Sequence, residues 1–116
     1  MIKLYHYTNT AKLKKISPRY FGGNYYTKND VDACKVKRSF FYSTQKVESL
    51  LKTARYCYTV NVNEKRLYDI QADKKSLYNG NLTTFLTAIK NLSYIGIKYS
   101  YNDYNIVSLF YSVTVT

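Results

Sequence analysis

Residues 82–115 read LTTFLTAIKNLSYIGIKYSYNDYNIVSLFYSVTV, and the change of period inside this stretch decides the fold class. Leu82, Phe85, Leu86 and Ile89 recur at helical spacing and predict a helix from Leu82 to Asn91. Tyr94 to Lys98 then reads as a strand interrupted by Gly96, and Tyr101-Asn102-Asp103-Tyr104 as the turn of a hairpin. Asn105 to Val115 is the longest β-type run, carrying Ile106, Val107, Leu109, Phe110, Val113 and Val115. A helix followed by paired strands is a piece of an α+β domain.

Upstream, Arg55 to Asn63 alternates as a half-buried strand does, with Tyr56, Tyr58, Val60 and Val62 opposed to Cys57, Thr59 and Asn61. Leu67 to Ile70 adds a short extended piece. Phe40 to Ser43 predicts a strand, followed by a helix from about Gln45 to Ala54 on the stripe Val47, Leu50, Leu51 and Ala54. Gly22-Gly23-Asn24 is the strongest turn signal; Tyr25-Tyr26-Thr27 follows as a strand, and Asn29-Asp30 offers a cap for a turn of helix over Val31 to Val36. Met1 to Tyr7 reads as a first strand, with Ile2 and Leu4 on one face and Lys3 and Tyr5 on the other. Thr8-Asn9-Thr10 can cap a helix over Ala11 to Ile16, which Pro18 would stop. The sum is one α+β domain over residues 1–116, with about six strands in a mainly antiparallel sheet and two or three short helices.

Composition bounds the function. A chain of 116 residues, 46% of them hydrophobic, can build one core and is not a disordered chain. No apolar run approaches the roughly 20 residues of a membrane span, and the N-terminus lacks the apolar region of a signal peptide, so a cytoplasmic protein with no membrane partner is expected. Cys34 and Cys57 with a single histidine, His6, make neither a zinc site nor a disulfide framework, so two reduced thiols and no metal are expected. Eighteen Lys and Arg against seven Asp and Glu give +11, which favours nucleic acid, nucleotides or an acidic protein surface as partner. Fifteen tyrosines suit stacking on bases or protein interfaces; an A/T-rich coding sequence would inflate Lys, Asn and Tyr just as well.

No phosphate-binding loop follows Gly22-Gly23, and a nucleophilic pair of Cys34 with His6 has no local support. Two features remain. Lys35-Val36-Lys37-Arg38-Ser39-Phe40-Phe41-Tyr42 interleaves cations and rings, as a surface following a phosphate backbone would. Lys35, Lys37, Arg38 and Phe40 are its candidate contacts, and Lys12, Lys14, Lys15 and Arg19 could extend it. The plainer reading makes the cations a solvated face and the Phe-Phe-Tyr run core.

The second feature is an order of short pieces: Leu4-Tyr5-His6-Tyr7-Thr8, then Gly22-Gly23-Asn24-Tyr25-Tyr26-Thr27, then Tyr94 to Tyr99 before Tyr101 to Val107. In this order they resemble the ADP-ribosyltransferase superfamily. The branch is the one with a His, Tyr and acidic triad, which includes the diphtheria-toxin-like enzymes and the poly(ADP-ribose) polymerases. The nearest likeness is to small phage and mobile-element members. The resemblance implies a split β-sheet that clamps bent NAD and moves ADP-ribose to a protein or nucleic acid. It implies that His6 bonds an adenosine ribose hydroxyl, that Thr8 lies beside the nicotinamide, and that Tyr25 stacks on that ring with Tyr26 or Tyr7 completing the wall. Arg19 or Arg38 would hold the diphosphate.

The family's third motif supplies Glu or Gln, whereas the glutamates here, Glu48 and Glu64, stand elsewhere. Asp103, one methylene shorter, is the nearest substitute, and the uncharged Asn105 is the rival position. A carboxylate drawn back by about 1 Å can cost on the order of a hundredfold in rate. Three readings therefore stand: a transferase, an inactive relative that binds and inhibits a host factor or holds a nucleotide, and a plain nucleic-acid-binding domain.

Overall fold

The computed structural model describes residues 1–21, 34–43, 54–101 and 104–116. In chain order its elements are β1 (Ile2–Thr8), β2 (Lys15–Ile16), β3 (Ser39–Tyr42), β4 (Tyr56–Val62), β5 (Leu67–Asp69), α1 (Leu82–Asn91), β6 (Gly96–Tyr101), β7 (Tyr104–Leu109) and β8 (Val113–Thr114), with a 3-10 turn at Glu64–Arg66. Six strands form one sheet in the order β4-β1-β3-β7-β6-β5, antiparallel except for the parallel β5–β6 pair. Strands β2 and β8 make a separate antiparallel ribbon. The α+β class and the mainly antiparallel pairing expected from the sequence are present.

Both faces of the sheet are covered. Helix α1 starts at Asn81, whose side chain accepts the Thr84 N–H, and buries Leu82, Phe85, Leu86 and Ile89. That stripe packs on Ile97, Tyr99 and Ile106 together with Tyr68, Ile70 and Phe110. On the opposite face Leu4, Phe41, Val60, Val107 and Leu109 form a second core, closed by Ile16, Leu13, Val113 and Val115 from the ribbon side. The alternation expected of β4 holds at its end, with Val60 and Val62 buried and Asn61 exposed, but not at its start, where Tyr56 and Cys57 are both exposed.

Two expectations are corrected. Ala11 to Ile16 is not a helix: Lys15–Ile16 pairs with Val113–Thr114, and the Lys14 carbonyl accepts the Val115 N–H. The Tyr58 hydroxyl donates to the Thr10 carbonyl and accepts the Leu13 N–H, so these backbone groups find partners without a helix. The three-residue spacing of Leu13 and Ile16 still serves burial, because Ile16 enters the second core and Leu13 packs against it. The run from Asn105 to Val115 is likewise two strands, bent where the Phe110 N–H donates to the Ile95 carbonyl. Among the described residues α1 is the one α-helix, where two or three were expected. The strand at Tyr25 to Thr27, the helix from Gln45 and the turn at Asn102-Asp103 fall outside them, while Cys34 to Val36 are described and not helical. Cys34 is buried, Cys57 is exposed, and both are free thiols. No helix among the described residues is long and apolar enough to cross a membrane.

The connection from β5 to α1 turns on Asp73. Its carboxylate accepts the Tyr68 hydroxyl and the N–H groups of Leu77 and Tyr78, while the Tyr68 oxygen accepts the Lys75 N–H. Burial alone would raise the Asp73 pKa, but the bonds from Tyr68, Leu77 and Tyr78 outweigh it and hold the carboxyl below its ordinary value. Burial first, and then the hydrogen bond to Asp73, push the Tyr68 phenol up to about 12.

Two tests follow from this frame. A Cβ on Gly96 would collide with the Ser108 carbonyl oxygen and lie 2.8 Å from Leu109 Cδ2, so Gly96→Ala forces β6 off β7. The variant is expected to lose ~3 kcal/mol in urea unfolding. Because the folded state lowers the Asp73 pKa, its contribution is complete above the unfolded carboxyl value of about 4 and is lost as pH falls through the folded value. Asp73→Ala should therefore lower the urea midpoint at pH 7, and its deficit against the parent should close below about pH 4.

Candidate functional site

Strand β1 decides where the expected site residues go. Its alternation sends Leu4, His6 and Thr8 to the ribbon-covered face and Tyr5 and Tyr7 to the face that carries α1. The His6 ring leans on Phe41 at 5.3 Å, and Nδ1 lies 2.8 Å from the Phe40 carbonyl oxygen. A carbonyl only accepts, so Nδ1 carries the proton and Nε2 of the neutral ring is left as an acceptor.

His6 opens on a cavity of about 90 Å³ lined also by Thr8, Thr10, Lys15, Ser17, Arg19, Tyr20 and Ser39, with Leu13 and Ile16 as its apolar wall. Two cations, an imidazole and five hydroxyls meet there, and no carboxylate lines it among the described residues. Ser39 is 2% exposed, and its Oγ has no hydrogen-bond partner among the described residues. A buried hydroxyl without a partner costs free energy that a ligand oxygen would recover.

The other expected residues are spread more widely. Tyr7 is on the far face, where its ring meets Tyr42 at 6.0 Å; burial, then the neighbouring Cys57 thiol, push its phenol up to about 12. Arg38, read from the sequence as a surface cation, is 2% exposed. Its guanidinium donates to the Ser108 hydroxyl and the Phe21 carbonyl and lies 5.0 Å over the half-buried Phe40 ring. It is therefore corrected from a phosphate contact to an internal brace, and Phe40 with it from a surface ring to a packed one. Lys35 and Lys37 are exposed as expected.

Asn105 lies on the same sheet face as His6 but two strands across and two residues along, roughly 12 Å away with Leu4 and Phe41 between. Its carboxamide oxygen accepts the Ser100 hydroxyl, and it lines a second cavity of about 330 Å³ with Glu64, Asp69, Gln71 and Lys98. Tyr25, Tyr26 and Asp103 fall outside the described residues. The structure thus brings His6, Thr8 and Arg19 together and leaves Tyr7, Arg38 and Asn105 apart from them. Sequence reading missed Ser39 as a site residue and gave Lys15 only as an extension of the basic patch; the seryl residue next to an aromatic run carried no signal of an inward hydroxyl.

Comparison with protein-family models, with curated protein sequences and with solved structures gives no match.

The carbonyl bond fixes a tautomer that free histidine disfavours. Nitrogen-15 spectra of the neutral His6 ring should show Nδ1 protonated and Nε2 bare; the opposite pattern would remove the acceptor from the cavity.

Proposed function

We propose that this chain binds NAD at the His6 cavity in the manner of an ADP-ribosyltransferase and moves ADP-ribose to a protein or nucleic-acid acceptor. The observation that carries the reading is the convergence of an acceptor imidazole nitrogen, two cations and a buried unpartnered hydroxyl in one cavity without a described carboxylate. A ribose hydroxyl donates to such a nitrogen, and a diphosphate is held by Lys and Arg. The donor set fits NAD. The volume fits one sugar or phosphate portion of it, since whole small-molecule sites usually take about 300–1,000 Å³.

Within this reading His6 and Thr8 hold the ribose side, Arg19 and Lys15 the diphosphate, and Tyr25 with Tyr26 the nicotinamide ring. Bond cleavage passes through a positively charged ribose, which a carboxylate stabilises. By the resemblance that carboxylate is Asp103; Asn105, the rival position, is uncharged and bonded to Ser100 in the other cavity. The position of Asn105 favours a second form of the reading: a protein that keeps the nucleotide site but not turnover, and acts by occupying a host factor.

Calorimetry with NAD tests the binding and nicotinamide release tests the transfer. His6→Ala and Arg19→Ala are each expected to weaken NAD by about tenfold, the worth of one charge-assisted or well-placed bond. Asp103→Ala should abolish nicotinamide release while leaving NAD binding in place. Absence of NAD binding by the parent protein would overturn the reading; binding without release would select the inactive form.

A further inference from the structure

The outward side of α1 carries Thr83, Thr87, Lys90 and Asn91 at helical spacing. The Thr83 hydroxyl accepts the Lys35 N–H at 2.9 Å and holds residues 35–37 alongside the helix. Between them runs a groove of about 470 Å³ lined by Lys35, Lys37, Thr87, Lys90 and Tyr111, with Pro18 at its edge. No carboxylate lines it among the described residues. Tyr111, a lining ring 49% exposed, has Lys90 Nζ 5.1 Å from its centroid, and the groove lysine Lys37 reaches outside the lining to the ring of Phe21, 43% exposed, at 5.8 Å.

We infer that this groove binds single-stranded nucleic acid, with Lys35, Lys37 and Lys90 on phosphates and Tyr111 and Phe21 stacking bases. Cations and exposed rings in alternation match a strand that offers a phosphate and an unpaired base at each step. An acidic protein surface would engage the lysines but leave the rings without a partner. A duplex keeps its bases stacked inside and would leave the rings idle too. The groove is built from different residues than the His6 cavity, so the inference stands apart from the NAD reading.

Fluorescence anisotropy with a labelled oligothymidine of about 12 nucleotides provides the test. Three phosphate contacts predict a slope of log affinity on log salt near −2, at ~0.7 per contact. Lys35→Ala, Lys37→Ala and Lys90→Ala should each flatten that slope by about 0.7. Tyr111→Ala should weaken binding roughly tenfold at unchanged slope, while Tyr111→Phe, which keeps the ring, retains it. Polyglutamate as competitor and a duplex of equal length should act at least about tenfold more weakly. Lys35, Lys37 and Tyr111 are exposed and Lys90 is half-buried, and unchanged urea midpoints confirm that the variants fold. No binding of the oligonucleotide, equal competition by polyglutamate, equal affinity for the duplex, or an unchanged affinity on Tyr111→Ala would overturn the inference.

Discussion

Strand β1 is interior to the sheet, paired with β4 at every position from Ile2 to Thr8 and joined to β3 on its other side. An interior strand cannot slip by one residue without turning its whole buried set to the wrong face. Leu4 at the centre of one core therefore fixes His6 and Thr8 on that same face, and fixes Tyr5 and Tyr7 on the other. The side chains that β1 offers to the His6 cavity follow from this alternation. It separates Tyr7 from His6 although they are neighbours in sequence, and brings Ser39 to His6 although 33 positions separate them.

The charge of the molecule is sorted by the same frame. Glu64, Asp69 and Lys98 gather at the cavity beside Asn105, where Lys98 Nζ is 3.5 Å from Glu64. The His6 cavity and the groove along α1 show cations, hydroxyls and rings with no described carboxylate. A net charge of +11 could be spread evenly and mean only solubility. Among the described residues Glu64 and Asp69 share one cavity, while the other two concave places are lined by cations, and there a polyanion would be concentrated.

What the sequence made legible follows from period. Helix α1 ends where its apolar spacing ends, the end of β4 alternates because one side is buried there, and β7 reads as a continuous apolar run because it is buried on both sides. The segment Ala11 to Ile16 misled because its two apolar residues, three apart, fit a helix as well as an extended run whose side chains reach one core. What decided was the availability of β8, about 100 residues away in sequence, as a hydrogen-bonding partner. Candidate site residues were legible where a rare residue type stood out, as with His6, and illegible where the relevant property was burial. Arg38 looked like its neighbours Lys35 and Lys37, and only the tertiary structure distinguishes one buried cation from two exposed ones.

Arg38 is the point at which the two surfaces meet. Its backbone pairs with Tyr20, the Arg38 N–H donating to the Tyr20 carbonyl at 2.7 Å and the Tyr20 N–H returning at 3.2 Å. Its side chain grips the next carbonyl, that of Phe21, from beneath. Residues 19–21 are thereby pinned to the start of β3, with Arg19 lining the His6 cavity and Phe21 under Lys37, itself a lining residue of the groove. A lysine at position 38 would offer a point charge in place of the planar fork that reaches Ser108 and Phe21 together while lying on Phe40. A buried cation bonded to Ser108 and Phe21 thus ties the segment that lines the His6 cavity to the strand that leads from the groove along α1.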